Sequence, residues 1–219
     1  MIKKETLDFL RLLKKNNDRK WFTANKSLYE AAWWNVVDIT MFLIDGISEF
    51  DDSIGQLDPR DCIYRLNRDT RSSADKTPYM TNFGVYIKRG GKKAVGAGYY
   101  LHVEPGSCMM SGGIFEPPAK ELAAIRNAVA ESPQTMRNLL AEPCLADEFG
   151  HLWGDAVKTA PRGYPKDHPA IDLIRHKNYI VAKEILDDEI VAPSFPASCL
   201  ESFRIVRDFN RYLNSVMAV

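Results

Sequence analysis

The sequence predicts an α+β fold in which a central antiparallel sheet is flanked by N-terminal and C-terminal helices. Three observations carry that reading. Apolar residues recur at helical spacing near both ends of the chain. Between residues 62 and 111 they alternate instead, as on strands with one covered face. The joints between those alternating segments are short, and a parallel crossover needs a dozen or more residues.

The elements follow in order. Residues 5–15 place Leu7, Leu10 and Leu13 near one face, with Lys14 and Lys15 where the negative end of a helix dipole favours cations. Asn16 and Asn17 mark a stop, and Asp18 is a cap for the next helix because its carboxylate can accept from free amides two or three residues on. Trp21, Asn25 and Tyr29 step by four, and Trp33, Val37, Ile44 and Ile47 continue an apolar stripe to about Glu49, predicting one long amphipathic helix. Trp21, Trp33 and Trp34 are expected in the core.

An acidic turn with Asp51, Asp52, Asp58 and Asp61 leads to four expected strands at 62–68, 82–89, 97–104 and 107–111. Gly90-Gly91 suits a tight hairpin needing positive φ, Pro105-Gly106 a second turn, and Gly112-Gly113 the end of the sheet. Pro117-Pro118 precede a helix with Leu122, Ile125 and Val129, and Ser132-Pro133 read as cap and first-turn proline of another. Residues 143–165 read as irregular. Asp167-His168-Pro169 open a short helix, with Asp167 as its cap, and Tyr179–Val181 add a strand. A helical stripe of Leu200, Phe203, Val206, Phe209, Leu213 and Val216 closes the chain.

With 219 residues, 45% hydrophobic and 26% charged, one globular domain over 1–219 is expected. No repeat, low-complexity tract or linker divides it. The formal net charge is zero, so no overall field draws nucleic acid or acidic membrane, and any anion site is local. Cys62, Cys108, Cys144 and Cys199 form no Cys-x-x-Cys pair, and free buried thiols are expected. A charged N-terminus, and no apolar run near the roughly 20 residues of a membrane span, predict a cytoplasmic protein.

The stretch with the most chemistry is 65–81, where Arg65, Arg68, Arg71 and Lys76 face only Asp69 and Asp75 between two apolar runs. A guanidinium fork binds carboxylate or phosphate through two parallel bonds. The same arginines can equally pair with neighbouring aspartates. Thr77 precedes Pro78 and is thereby excluded from helix, so residues 72–78 should be a turn. In the chain's second half, Arg162-Gly163-Tyr164 and His168 flank a helix start, and the imidazole has a proton affinity suited to acid–base work. His102 and Glu104 share a strand face, but no third ligand has metal spacing, so neither metal nor cofactor is expected. The basic tip Lys88-Arg89-Gly90-Gly91-Lys92-Lys93 has no aromatic stacking platform beside it, which argues against nucleic acid.

Five ordered blocks resemble the domain of unknown function 2461 family, conserved hypothetical proteins found mainly in bacteria. They are Phe9-Leu10 with Asn16-Asn17-Asp18-Arg19-Lys20-Trp21-Phe22, Arg68-Asp69-Thr70-Arg71 with Asp75-Lys76-Thr77-Pro78-Tyr79, Tyr99 through Gly106, Gly112 through Pro117, and Ala160 through Tyr164 with Asp167-His168-Pro169 and the Arg175-His176-Lys177 stretch. Ser72 and Met80 depart from the pattern, which carries an aromatic and a lysine there. The resemblance spans nearly the whole chain and implies one soluble domain without naming an activity.

Two functions follow from the residues. In the first, an enzyme or binding protein takes a small anionic or phosphorylated compound in a polar cleft. Arg68 and Arg71 clamp the anion, Lys76 adds charge, and Asp69 or His168 handles a proton. Asp75, Tyr79 and Arg162 complete the candidate ligand contacts. In the second, the chain is a non-catalytic interaction module and the same residues are structural ion pairs. Oligomeric state is not written in the sequence.

Overall fold

A computed structural model describes all residues, 1–219, with eleven helices and a four-stranded antiparallel sheet. The strands are β1 (Phe83–Ile87), β2 (Gly98–Val103), β3 (Cys108–Ile114) and β4 (Tyr179–Ile185), hydrogen-bonded in that order. The chain is arranged as two compact units. The first comprises Met1–Lys93, Tyr100–Met110 and Glu184–Leu200; the second comprises Ala94–Tyr99, Ser111–Lys183 and Glu201–Val219. No helix is long and apolar enough to cross a membrane.

In the first unit, α1 (Lys4–Lys15) buries Leu7, Leu10 and Leu13 and ends at Asn16. Asp18 then caps α2 (Arg19–Ala24) by accepting from the Trp21 amide at 2.9 Å. The long helix expected near 26–49 is present, and the apolar stripe that begins at Trp21 is interrupted before it, at Asn25. Its side chain donates to the Trp21 carbonyl at 2.9 Å, a local bond that competes with helix continuation, and α3 (Lys26–Ser48) starts afresh. The buried face of α3 is Ala32, Asn35, Val36, Ile39, Thr40, Leu43, Ile44 and Ile47, the last two as expected. Tyr29, Trp33 and Val37 lie on its margin, and Trp34 is 56% exposed, contrary to the expected core placement. An i, i+4 row drifts around the helix; the face that wins is the one repeating at both three and four.

Residues 62–68 are not a strand. Asp58 accepts from the Arg60 amide, and Pro59 at the first position starts the short helix α4 (Pro59–Cys62). Only single bridges remain, Ile63 to Val85 and Asn67 to Tyr79. The fourth strand is instead β4, longer than its first three residues suggested. Phe83, Val85 and Ile87 are buried, as are Leu101 and Val103. Phe83 joins Phe9, Trp21, Phe22, Tyr29 and Trp33 in one aromatic cluster.

In the second unit, α5 (Ala119–Glu131) and α6 (Pro133–Leu140) stand where expected. The span read as irregular contains α7 (Pro143–Phe149), whose cap is the Glu142 carboxylate, accepting from Leu145 N at 2.9 Å. Cys144 at its start is exposed, while the other three thiols are buried; all four are free. The short α8 (Ile171–Ile174) is not capped by Asp167; His168 Nδ1 accepts the Ala170 amide at 3.0 Å instead. The first unit's last segment holds α9 (Asp187–Ile190), and the final stripe is split at Val206 into α10 (Phe195–Ile205) and α11 (Arg207–Met217).

Gly112 and Gly113 do not end the sheet but lie inside β3. A Cβ on Gly112 would stand 2.6 Å from the Val206 side chain, and one on Gly113, at φ 117°, would overlap the Tyr179 carbonyl oxygen. Glycine here marks the close approach of a second backbone and of a packed side chain.

Candidate functional site

Residues 65–81 form a looped excursion with a narrow neck. The Arg68 amide donates to the Pro78 carbonyl at 2.9 Å, and the Met80 amide to the Leu66 carbonyl at 2.6 Å. From the N-terminal helices, Asn17 clamps the neck through both backbone groups of one residue, Tyr79. Its Nδ2 donates to the Tyr79 carbonyl at 2.9 Å, and its Oδ1 accepts the Tyr79 amide at 3.1 Å. The Tyr79 ring is buried and stacks on Phe22 with centroids 4.1 Å apart, so Tyr79 anchors the loop.

Inside the loop, Arg68 pairs with Asp75 and donates to Thr77 Oγ1 at 2.6 Å. Asp75 also accepts the Thr77 amide at 2.9 Å, an Asx turn that sets up the extended residue before Pro78. The Arg68 bond, then the Thr77 amide, hold the Asp75 carboxyl down at about 2. Lys76 Nζ donates to the Thr70 carbonyl at 2.9 Å. Arg71 turns back on Asp69, two residues away, through Nε at 2.9 Å and Nη2 at 2.5 Å. That bond lowers the Asp69 proton affinity. The Arg71 and Asp69 side chains are 88% and 62% exposed, so their pairing contributes little stability.

Beside the loop lies an open groove of about 590 Å³, lined by Asn17, Asp18, Arg19, Thr70, Asp75, Lys76, Thr77 and Pro78. Of the expected ligand contacts, Asp75 and Lys76 are therefore on its wall. Arg71 adjoins the lining residue Thr70 in the chain. Arg162 and His168 belong to the second unit and line no part of this groove. Arg162 is exposed in a turn closed by the Tyr164 amide on the Pro161 carbonyl, and His168 Nδ1 is occupied by the Ala170 amide.

A second constellation lies on the sheet, where sequence reasoning stopped at His102 and Glu104. Tyr100, His102 and Glu104 share one face of β2 and its extension, as period two requires. Tyr100 Oη is 3.0 Å from His102 Nδ1, and His102 Nε2 is 3.1 Å from Glu104 Oε2. Asn82 Nδ2, just before β1, is 3.4 Å from the same Nδ1. Glu104 Oε1 accepts from Thr81 Oγ1 at 3.1 Å and faces Lys14 Nζ at 3.8 Å. Gly84 makes room for the row, since a Cβ there would stand 2.8 Å from Tyr100 Oη.

Burial pushes the Tyr100 hydroxyl up to about 12 and Lys88, whose ammonium lies 4.3 Å above the Tyr86 ring, down to about 8. Tyr100 stands at the same alternation in the sequence; what alternation did not show was the glycine opposite it. No group of three or more His, Cys, Asp or Glu side chains is placed to hold a metal ion.

No curated protein and no solved structure matches the chain. Residues 5–212 match the family described as Conserved hypothetical protein (DUF2461), nearly the whole length, with the loop, its Asn17 clamp and the Tyr100–Glu104 row all inside the matched span. The chain belongs to that family.

Proposed function

We propose that this protein binds a small anionic ligand, a phosphorylated or carboxylate-bearing compound, in the groove beside residues 70–78. One observation carries the reading: the groove wall carries Lys76 and Arg19 with Thr70 and Thr77, alongside Asp18 and Asp75, whose carboxylates are taken up by the Trp21 amide and by Arg68. Cations with neutral hydroxyl donors suit a phosphate or carboxylate. Arg71 serves as the exchangeable contact. Its bond to Asp69 lies in solvent, so an incoming anion can replace the carboxylate at little cost. Arg68 is the loop's own tie to Asp75 rather than part of the clamp. Asp69, with its proton affinity lowered, is a weak base, and its part is to release Arg71. Arg162 and His168 stand outside this reading.

A second reading has its own support. Every charged side chain among Arg68, Asp69, Arg71, Asp75 and Lys76 already has a partner within the loop, as in a non-catalytic interaction module. Thermal melts with added phosphate and pyrophosphate decide between them. A ligand that binds only the native state raises the melt with concentration. Wild type should show that rise, and Lys76→Ala and Arg71→Ala should lose it. No rise at millimolar anion leaves the interaction module.

A further inference from the structure

The row on the sheet is the more chemical of the two constellations. A carboxylate oxygen can only accept, so the 3.1 Å contact from Glu104 Oε2 places the imidazole proton of His102 on Nε2. Nδ1 of the neutral ring is then a lone pair. The Tyr100 hydroxyl is aimed at it from 3.0 Å, and the Asn82 amide lies 3.4 Å away. Thr81 and Lys14 on the other Glu104 oxygen fix the carboxylate that fixes the ring.

We infer that Tyr100, His102 and Glu104 form a reactive triad, with Tyr100 Oη as nucleophile, His102 as general base and Glu104 as the positioning carboxylate. The roles run in the order that defines such triads, a hydroxyl on a base and the base on an orienting group. The phenol needs its base, because burial keeps it protonated far above neutral pH. The row is reachable: the His102 side chain is 19% exposed, and the adjacent Tyr64 is 43% exposed. Its substrate class is a small acyl donor. A neutral amide donor, Asn82 Nδ2, lies beside the base, 3.4 Å from the same His102 nitrogen that the phenol faces, and suits a carbonyl oxyanion. A phosphoryl group would call for cations there, but Lys14 sits on Glu104 and Lys88 over the Tyr86 ring.

The step balances. Tyr100 Oη bonds to the carbonyl carbon as its proton passes to His102 Nδ1, and the carbonyl oxygen takes the negative charge beside Asn82. The intermediate collapses, the bond to the leaving group breaks, and that group departs with the His102 proton. Water then cleaves the aryl ester, giving one proton to His102, which returns it to the phenol oxygen.

Acetylation by N-acetylimidazole, mapped by peptide mass spectrometry, tests this without a known substrate. In wild type, Tyr100 should be acetylated before Tyr64, although Tyr64 is the more exposed ring. His102→Gln should slow Tyr100 at least about tenfold, below the usual contribution of a general base, with the Tyr64 rate unchanged. Glu104→Gln should shift the pH at which Tyr100 labelling rises, whereas loosened packing alone would alter labelling equally at every pH. Labelling of Tyr64 first in wild type overturns the triad whether or not the variants fold. So does a Tyr100 rate indifferent to His102→Gln. Neither result bears on anion binding in the groove.

Discussion

The loop at 65–81 and the sheet face around His102 handle charge in opposite ways. The loop holds six charged side chains, yet their pairs reach no more than seven residues along the chain and lie mostly in solvent. The sheet face uses one imidazole and one carboxylate, but ties them to partners 20 and 23 residues away, with the ring half-buried. Density of charge is thus a poor guide to where side chains are tied by long-range contacts. Short-range pairs close a turn at small gain in stability. Long-range ones hold side chains at set distances because the strands beneath them cannot move independently.

That contrast can be broken from either end, and the largest effect should come from the sheet. Gly84→Val puts a branched side chain where even a Cβ would stand 2.8 Å from Tyr100 Oη and 3.2 Å from the Tyr64 ring. Chemical denaturation should show a loss of about 1–3 kcal/mol or more, as overpacking does. An unchanged midpoint would mean that the row is not held by packing.

Next is Glu104→Ala, which leaves the His102 ring proton and the Thr81 hydroxyl without their acceptor. The expected cost is about 1–2 kcal/mol, measured in the same way. NMR of the His102 ring nitrogens should show mixed tautomers in place of one.

Arg68→Ala should lower the melt by a smaller amount, because Asp75 keeps its Thr77 amide bond when the guanidinium is gone. The pH dependence has a definite sign. Asp75 is held near 2, below its unfolded value of 3.8, so the folded state binds fewer protons between those values. Its contribution is complete above about pH 4 and fades as pH falls through 2. In Arg68→Ala that acid-side loss should shrink, which acid titration of the melt would reveal.

Smallest of all, Arg71→Ala should leave the melt unchanged at neutral pH, since both partners of its pair lie in solvent. A marked destabilisation would show that the loop's exposed pairs matter more than their geometry implies.

Much of this was legible in the residues. The antiparallel core of 83–87 and 98–103, with the first part of 108–114, followed from period-two alternation and short turns, and the caps at Asn16 and Asp18 from local chemistry. These are decided within a few residues of chain, so sequence alone determines them. Tertiary structure decided the rest. Whether Gly112 and Gly113 end a strand or admit Val206 and the Tyr179 backbone depends on segments some 66 to 94 residues away. The candidate site divides in the same way. Arg68, Asp75 and Lys76 were visible as a dense cluster, and their mutual pairing is local. Tyr100, His102 and Glu104 were visible only as alternation, and became a row when Asn82, Thr81, Gly84 and Lys14 were brought to them by the fold.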